Sequence, residues 1–300
     1  MNWLILGLGI ILLLIFFYYL IIFIFRLPPW NKVPKPIILF PKKGTFNWKI
    51  RQRMKYDNRE FLTTYTDKLA VRDYVKEKLP EINLAPVIDV IEYPEDISFD
   101  ELPKSYAIKA THGSGWNILV KDGINVCTGK PANRQQILKK LNKWKKKKYG
   151  KFFISQEPHY WKIPPKFIIE EFLEPFEGHY LPKDYKFYVF DGKVHSLEVH
   201  SGRFEEDHAC NVYNKDWEPM RIMIGDPISD KTDERPEHFE KMKEYAEILA
   251  DGIDFVRVDL YEINGNIYFG ELSFTPGGGF TRFVPAEYDK IYGDLWDLGF

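Results

Sequence analysis

Cysteine is scarce in this 300-residue chain: only Cys127 and Cys210 are present. That excludes a disulfide scaffold and agrees with a reducing compartment. Neither cysteine has Cys or His neighbours in the spacing of a zinc site. An excess of one charge is missing as well. With 42 basic and 43 acidic residues the formal net charge is −1, whereas a general nucleic-acid binder is strongly basic, so no nucleic-acid partner is expected. No internal repeat occurs. The patterns GxxxxGK[ST] and GxGxxG are also absent, which removes the P-loop and dinucleotide-fold readings.

One long hydrophobic run is present. Trp3 to Phe25 carries no charge, and at ~1.5 Å rise per residue it exceeds a hydrocarbon core of ~30 Å. A signal peptide would show a basic start, a shorter apolar core and a small-residue cleavage site. Here only Met1-Asn2 precede the run, and Arg26 to Trp30 follow it. Arg26, Lys32, Lys35, Lys42 and Lys43 all lie on its C-terminal side, which predicts an outward N-terminus and a cytoplasmic remainder. Residues 1–26 therefore read as a single-pass anchor to the cell membrane. Residues 27–60 read as a basic juxtamembrane connector and 61–300 as the domain. The alternation Lys49, Arg51, Arg53, Lys55 is read as a wet face, with contact to anionic lipid as the alternative.

Periodicity predicts helices from a Thr66 cap through Lys78, over Asn133 to Tyr149, and over Glu237 to Ala250, the last closed by Gly252. Strands are expected at Ala85 to Glu92, Tyr106 to Lys109, Ile118 to Val120 and Phe167 to Glu171. Two more, Tyr185 to Phe190 and Val194 to Val199, flank an Asp191-Gly192 hairpin turn. The class is α+β with much antiparallel sheet.

The richest stretch is Phe255 to Ser273. With Asn264 to Asn266 as a three-residue loop, Ile263 pairs with Ile267 and Asp259 falls opposite Glu271. Arg257, Asp259, Glu271 and Ser273 then share one face, and Val258, Leu260, Tyr268, Gly270, Leu272 and Phe274 the other. A two-residue loop would send the two acids to opposite faces. Side-by-side carboxylates repel unless they share a cation or proton, which suits Mg²⁺ completed by phosphate oxygens and water. An Arg–Asp pair on an exposed hairpin is the plainer alternative. Upstream, Lys109 ends a strand and leads into Ala110-Thr111-His112-Gly113-Ser114-Gly115. An ammonium and backbone N–H groups there can surround phosphate oxygens, although a ligand-free turn has the same pattern.

Five phrases in this order resemble the ATP-grasp superfamily, and more closely its TupA-like branch found among teichuronopeptide, capsule and other surface-polysaccharide genes. They are Asp67 to Arg72, Ile108 to Asn117, Ile169 to Leu173, Asp184 to Phe187 and Arg257 to Tyr261. The resemblance implies an ATP-grasp-like fold, with two α+β lobes enclosing ATP. It divides the domain into an N-terminal portion (61–105), a nucleotide-binding lobe (106–170) and a metal and acceptor lobe (171–300). In its terms Lys109 and Lys186 contact phosphate, and His112, Gly113, Ser114 and Gly115 form a mobile loop over it. Glu170, Glu171 and Phe172 meet adenine and ribose. Asp259 and Glu271 hold Mg²⁺, with Ser273 where many relatives have Asn, and Arg257 joins the two lysines in catalysis. Gly277, Gly278, Arg203 and Arg282 are candidates for the acceptor, with His200 as an assisting residue. The activity implied is a carboxylate–amine ligase acting on a lipid-linked, surface-polysaccharide or cell-wall precursor beside other polysaccharide biosynthesis enzymes. The alternatives are a membrane-associated kinase or glycosyltransferase-like enzyme, and a non-enzymatic nucleotide-binding module.

Overall fold

The computed structural model describes residues 40–151, 156–174, 181–202 and 208–300. Among these no helix is long and apolar enough to cross a membrane. The anchor expected at Trp3 to Phe25 and the acceptor candidate Arg203 lie outside the described residues. The described helices are α1 (Phe46–Tyr56), α2 (Phe61–Thr66), α3 (Val71–Lys78), α4 (Arg134–Lys145), α5 (Phe239–Leu249) and α6 (Glu287–Asp294).

Helix α1 lies in the stretch read as a connector, and the structure corrects that reading. Its Phe46, Ile50 and Met54 recur at helical spacing and are buried with Phe255, Tyr292 and Trp296. Three of the four alternating basic residues are therefore tied into the fold, and only Lys55 of the four is exposed. Arg53 is 1% exposed, Lys49 donates to the Trp296 carbonyl, and Arg51 donates to the Gly279 carbonyl at 3.1 Å. A second correction concerns Thr66, which ends α2 instead of capping the next helix. Asp67 orders the turn before α3, its Oδ1 accepting from the backbone N–H groups of Leu69 at 2.8 Å and Ala70 at 3.4 Å, and α3 itself begins at Val71 with no side-chain cap.

Strands β1 (Val87–Ile91), β2 (Tyr106–Ala110), β3 (Asn117–Lys121), β4 (Ile124–Asn125), β5 (Lys130–Pro131) and β6 (Phe167–Glu171) form an antiparallel sheet in the order β1-β6-β2-β3-β4-β5. Tyr106, Ile108, Ile118, Val120 and Ile169 fill one face against Ile137, Leu141 and Trp144 of α4. Strand alternation sends Lys109 and Glu170 to the opposite face. Asn133 caps α4 by accepting from the Gln136 N–H at 3.0 Å. The helix stops at Lys145, before the expected Tyr149.

Strands β7 (Asp184–Phe190), β8 (Lys193–Ser201), β9 (Ala209–Asn214), β10 (Pro219–Met220), β12 (Phe255–Ile263) and β13 (Asn266–Ser273) form the second antiparallel sheet, in the order β10-β9-β8-β7-β12-β13. The short β11 (Met223–Ile224) pairs with β14 (Phe283–Val284). Phe187, Val189, Leu197, Val199, Val258 and Leu260 pack beneath α3 and α5. On the reverse face, Tyr188, Phe190, Val212 and Phe255 join the core of α1 and α6, beside the charged side chains of Lys186, Glu198, Arg257 and Asp259.

The β12–β13 hairpin reaches the expected register by an unexpected route. Asp259 pairs with Glu271 and Arg257 with Ser273, yet Ile263 pairs with Asn266. The loop is thus the two residues Asn264-Gly265, at φ 50° and 75°, the left-handed pair that a tight hairpin turn needs. A bulge between Asp259 and Leu260 absorbs the extra residue, Gly270. A Cβ on Gly270 would stand 2.8 Å from the Asp259 carbonyl and 3.0 Å from the Tyr261 ring. On the turn side of the bulge the alternation is shifted, so Ile267 and Phe269 enter the core in place of the expected Tyr268 and Gly270.

Candidate active site

Four side chains of the hairpin lock together. Arg257 donates from Nε and Nη2 to the two carboxylate oxygens of Asp259, both at 2.7 Å. Its Nη2 also donates to Ser273 Oγ at 3.1 Å, and that hydroxyl donates to Glu271 Oε1 at 3.2 Å. Burial works against the Arg257 charge, but the carboxylate of Asp259 prevails and holds its pKa well above the usual value. On the neighbouring strand Lys186 lies opposite Asp259, contacts it, and sits 2.6 Å from Asp184.

The first sheet contributes a second charged group. Glu170 is buried and takes both Lys109, Nζ to Oε2 at 2.6 Å, and Arg72, Nη1 to Oε1 at 2.9 Å. Lys68 spans the two groups, donating to the Gly113 carbonyl at 2.7 Å while its Nζ lies 4.0 Å from Glu271 Oε2. Burial lowers its pKa, and Glu271 opposes that shift. In the turn after β2, His112 is buried between Trp116 and Phe167, with Nε2 3.1 Å from the Trp144 carbonyl. Burial pushes its pKa down, so this ring is a neutral packing element. Gly113 has room for no more than hydrogen, since a Cβ would stand 2.6 Å from the Trp116 ring.

Beside the ionic groups opens a cleft of about 340 Å³ lined by Ser114, Tyr149, Glu157, Arg257, Ser273 and the Thr275–Gly278 loop. Gly277 and Gly278 hold φ of 63° and 59°, a conformation that glycine adopts without strain. Glu157 accepts from the Thr275 hydroxyl at 2.6 Å. Burial nevertheless pushes its carboxyl up from 4.5 to about 7, with Thr275 pulling the other way. The folded state therefore keeps this proton in a range where the unfolded chain has lost it. Stability from this group is full below pH 4.5 and is lost as pH rises to about 7, by roughly 3 kcal/mol. Glu157→Gln removes the titration. In paired urea unfolding at pH 5 and pH 8, its stability relative to wild type is expected to rise at the higher pH; a gap independent of pH would contradict the buried-acid assignment.

Of the residues singled out in the sequence, Arg257, Asp259, Glu271, Ser273 and Lys186 meet on one sheet face. Lys109 and Glu170 pair on the other sheet, and Ser114, Gly277 and Gly278 line the cleft. Glu171 is exposed at the end of β6 and Phe172 is buried beyond it. Gly115 turns the chain at φ 66°. Arg282 is exposed and does not line the cleft. Sequence reasoning assigned no role to Lys68, Arg72, Tyr149 or Glu157. The first two stand in the Asp67–Arg72 phrase, so a signal for them existed; Glu157 reaches the cleft only through tertiary packing.

The donor set fits a hard divalent cation with a polyphosphate. Asp259, Glu271 and Ser273 offer only oxygen, as Mg²⁺ requires. Lys68, Lys109, Lys186 and Arg257 supply cationic donors for phosphate oxygens. Asp259 is engaged by Arg257 and Lys186, whereas the Glu271 side chain is 31% exposed and the readier ligand.

The family model described as TupA-like ATPgrasp matches residues 48–297. No curated protein matches the chain. Among solved structures it is similar to D-alanine–D-alanine ligase from Bacillus anthracis complexed with ATP, at 15% identity and a TM-score of 0.42, over 77% of this chain and 62% of that one. It is also similar to an L-amino acid ligase from Bacillus licheniformis, at 13% identity and a TM-score of 0.44, over 76% of this chain and 46% of that one. The chain thus spans only part of the length of each.

Proposed function

Because the chain belongs to the TupA-like ATP-grasp family, we propose that it is an ATP- and Mg²⁺-dependent ligase joining an amine or amino acid to a carboxylate. The observation that carries this reading is the ionic face of the second sheet. There Arg257, Asp259, Glu271, Ser273 and Lys186 gather phosphate-binding cations and hard oxygen donors beside an open cleft. The acceptor class we favour is a surface-polysaccharide or cell-wall precursor. The uncharged Trp3 to Phe25 segment supports a membrane-tethered enzyme facing the cytoplasm, where ATP and a lipid-linked precursor meet.

In the first step a substrate carboxylate oxygen attacks the γ-phosphorus of ATP, an O–P bond forms, the β,γ-bridging bond breaks, and ADP leaves. Lys109, Lys186, Lys68 and Arg257 offset the charge on the phosphates, the kind of preorganised electrostatic support that phosphoryl transfer depends on. Mg²⁺, held by Asp259 and Glu271 with Ser273 beside them, supplies further charge neutralisation when bound. In the second step the amine attacks the acyl carbon, a C–N bond forms, the C–O bond to phosphate breaks, and inorganic phosphate leaves. The proton released by the amine goes to Glu157, which lines the cleft with a pKa of about 7, near the ideal for a base at neutral pH.

The test is mass spectrometry of ATP incubations with uronic-acid, cell-wall and lipid-linked precursors plus candidate amines. Equal amounts of ADP, phosphate and an amide are expected. A phosphorylated stable product would make the protein a kinase, and nucleoside diphosphate released from a sugar donor would make it a glycosyltransferase. Either result overturns the ligase reading.

A further inference from the structure

Strands β8 and β9 bring together three buried side chains that the ATP-dependent chemistry does not use. His200 pairs directly with Cys210 across the two strands, and Glu198 lies two residues before His200 on the same face. Their exposures are 4% for Glu198, 4% for His200 and 1% for Cys210. One ligand atom from each lies within 4.8 Å of the others. His200 Nε2 is 3.2 Å from Glu198 Oε2 and 3.7 Å from Cys210 Sγ. A tetrahedral zinc ion with bonds of ~2.0–2.3 Å has ligand–ligand edges of about 3.3–3.7 Å. Two edges of the cluster thus stand near those of a zinc site, and the third, between Glu198 and Cys210, lies within 4.8 Å.

We propose that Glu198, His200 and Cys210 form a binding site for a thiophilic divalent cation of the zinc class, separate from the Asp259–Glu271 pair. The mixed S, N and O donor set selects such an ion over Mg²⁺, which takes oxygen alone. Outer contacts orient two of the ligands. The Tyr188 hydroxyl donates to Glu198 Oε1 at 3.2 Å, leaving Oε2 for the ion. His200 Nδ1 lies 3.3 Å from His208 Nε2, a contact that lets Nδ1 carry the proton while Nε2 presents its lone pair. Charge balance favours the ion as well, since a thiolate and a carboxylate cancel its two charges. Without it the thiol stays protonated, its pKa raised by burial first and then by Glu198, Asp226 and Asp233. Lys186 pairs in register with both Asp259 and Glu198. The two sites are therefore two strands apart, about 10 Å at ~4.8 Å per strand. The cation would clamp β9 to β8 and so hold that end of the ionic sheet face. This inference stands on the cluster alone and not on the ligase reading.

The full chain, purified without chelator, is expected to carry about one zinc per molecule by elemental analysis. After zinc removal, added Co²⁺ should give thiolate-to-cobalt charge-transfer absorption. Cys210→Ser should abolish that band, and Glu198→Gln should weaken Co²⁺ binding at least tenfold, with far-ultraviolet circular dichroism confirming folded variants. Should Cys210→Ser fail to fold, Cys127→Ser, which leaves Cys210 as its only thiol, decides instead by keeping or losing the band. Absence of both bound zinc and the cobalt band in the folded wild-type protein would overturn the proposal. So would a band that persists in folded Cys210→Ser or vanishes in folded Cys127→Ser.

Discussion

Asp259→Asn is expected to lower ATP turnover at least about a hundredfold and to cost on the order of 3–5 kcal/mol of folding stability. The side chain is 1% exposed and compensates two buried cations, Arg257 through both of its oxygens and Lys186 from the next strand. Asparagine keeps the shape but removes the charge, and it turns one acceptor into a donor aimed at those cations. Lys186 still has Asp184 at 2.6 Å; among the described residues Arg257 keeps Ser273 and a 3.5 Å approach to Glu271. Glu271→Gln separates the metal role from the charge balance, because that side chain is 31% exposed and carries less of the buried pairing. Its stability should change by less than about 1 kcal/mol, while the Mg²⁺ dependence of ATP binding weakens. Calorimetric ATP titrations with and without Mg²⁺, alongside urea unfolding, read both effects. Unchanged Mg²⁺-dependent affinity in both variants would remove the hairpin from the nucleotide site.

Arg53→Ala is expected to destabilise the fold by about 3–5 kcal/mol, the other large effect. The guanidinium is buried and donates to the carbonyls of Phe255 at 2.7 Å and Phe274 at 3.2 Å. It also pairs with Asp254 at 2.6 Å and approaches Asp57 at 3.4 Å. Its carbon stands 4.3 Å above the Trp296 ring. Burial lowers its pKa to about 10 in spite of both aspartates, so it remains charged at neutral pH. Alanine leaves Asp254 and two strand-end carbonyls without this partner and opens a void against Trp296. Because Phe255 begins β12 and Phe274 follows β13, the loss should also loosen the hairpin that carries Asp259 and Glu271. Denaturant unfolding gives the magnitude, and a cost below about 1 kcal/mol would show that Arg59, 2.9 Å from Asp254, substitutes for it.

The role of Arg53 marks where sequence reading stopped. Alternating Lys49, Arg51, Arg53 and Lys55 looks like a wet basic connector, since a buried arginine is the exception and its partner Asp254 lies 201 positions away. The Phe46, Ile50, Met54 stripe was present but short. Glu157 lay hidden for a similar reason. Nothing local distinguishes a buried glutamate from an exposed one, and its hydrogen-bond partner Thr275 is 118 positions away.

Local chemistry, by contrast, was sufficient for Phe167–Glu171 and for the Asp191-Gly192 hairpin, whereas the polar face of Arg257, Asp259, Glu271 and Ser273 was reached from a three-residue loop that the structure replaces by a two-residue turn and a bulge. Turn residues and strand alternation act over neighbouring positions, and both are written in the chain. The sequence alone therefore determined which charged and polar residues share one face of the hairpin, and the family phrases identified the fold. Tertiary structure decided how that face is held. The Gly270 bulge restores a register that the two-residue turn alone would break, Lys68 bridges the two sheets, and adjacent strands bring Cys210 to Glu198 and His200. Each of these depends on contacts between residues paired across strands or distant in sequence, which no local pattern encodes.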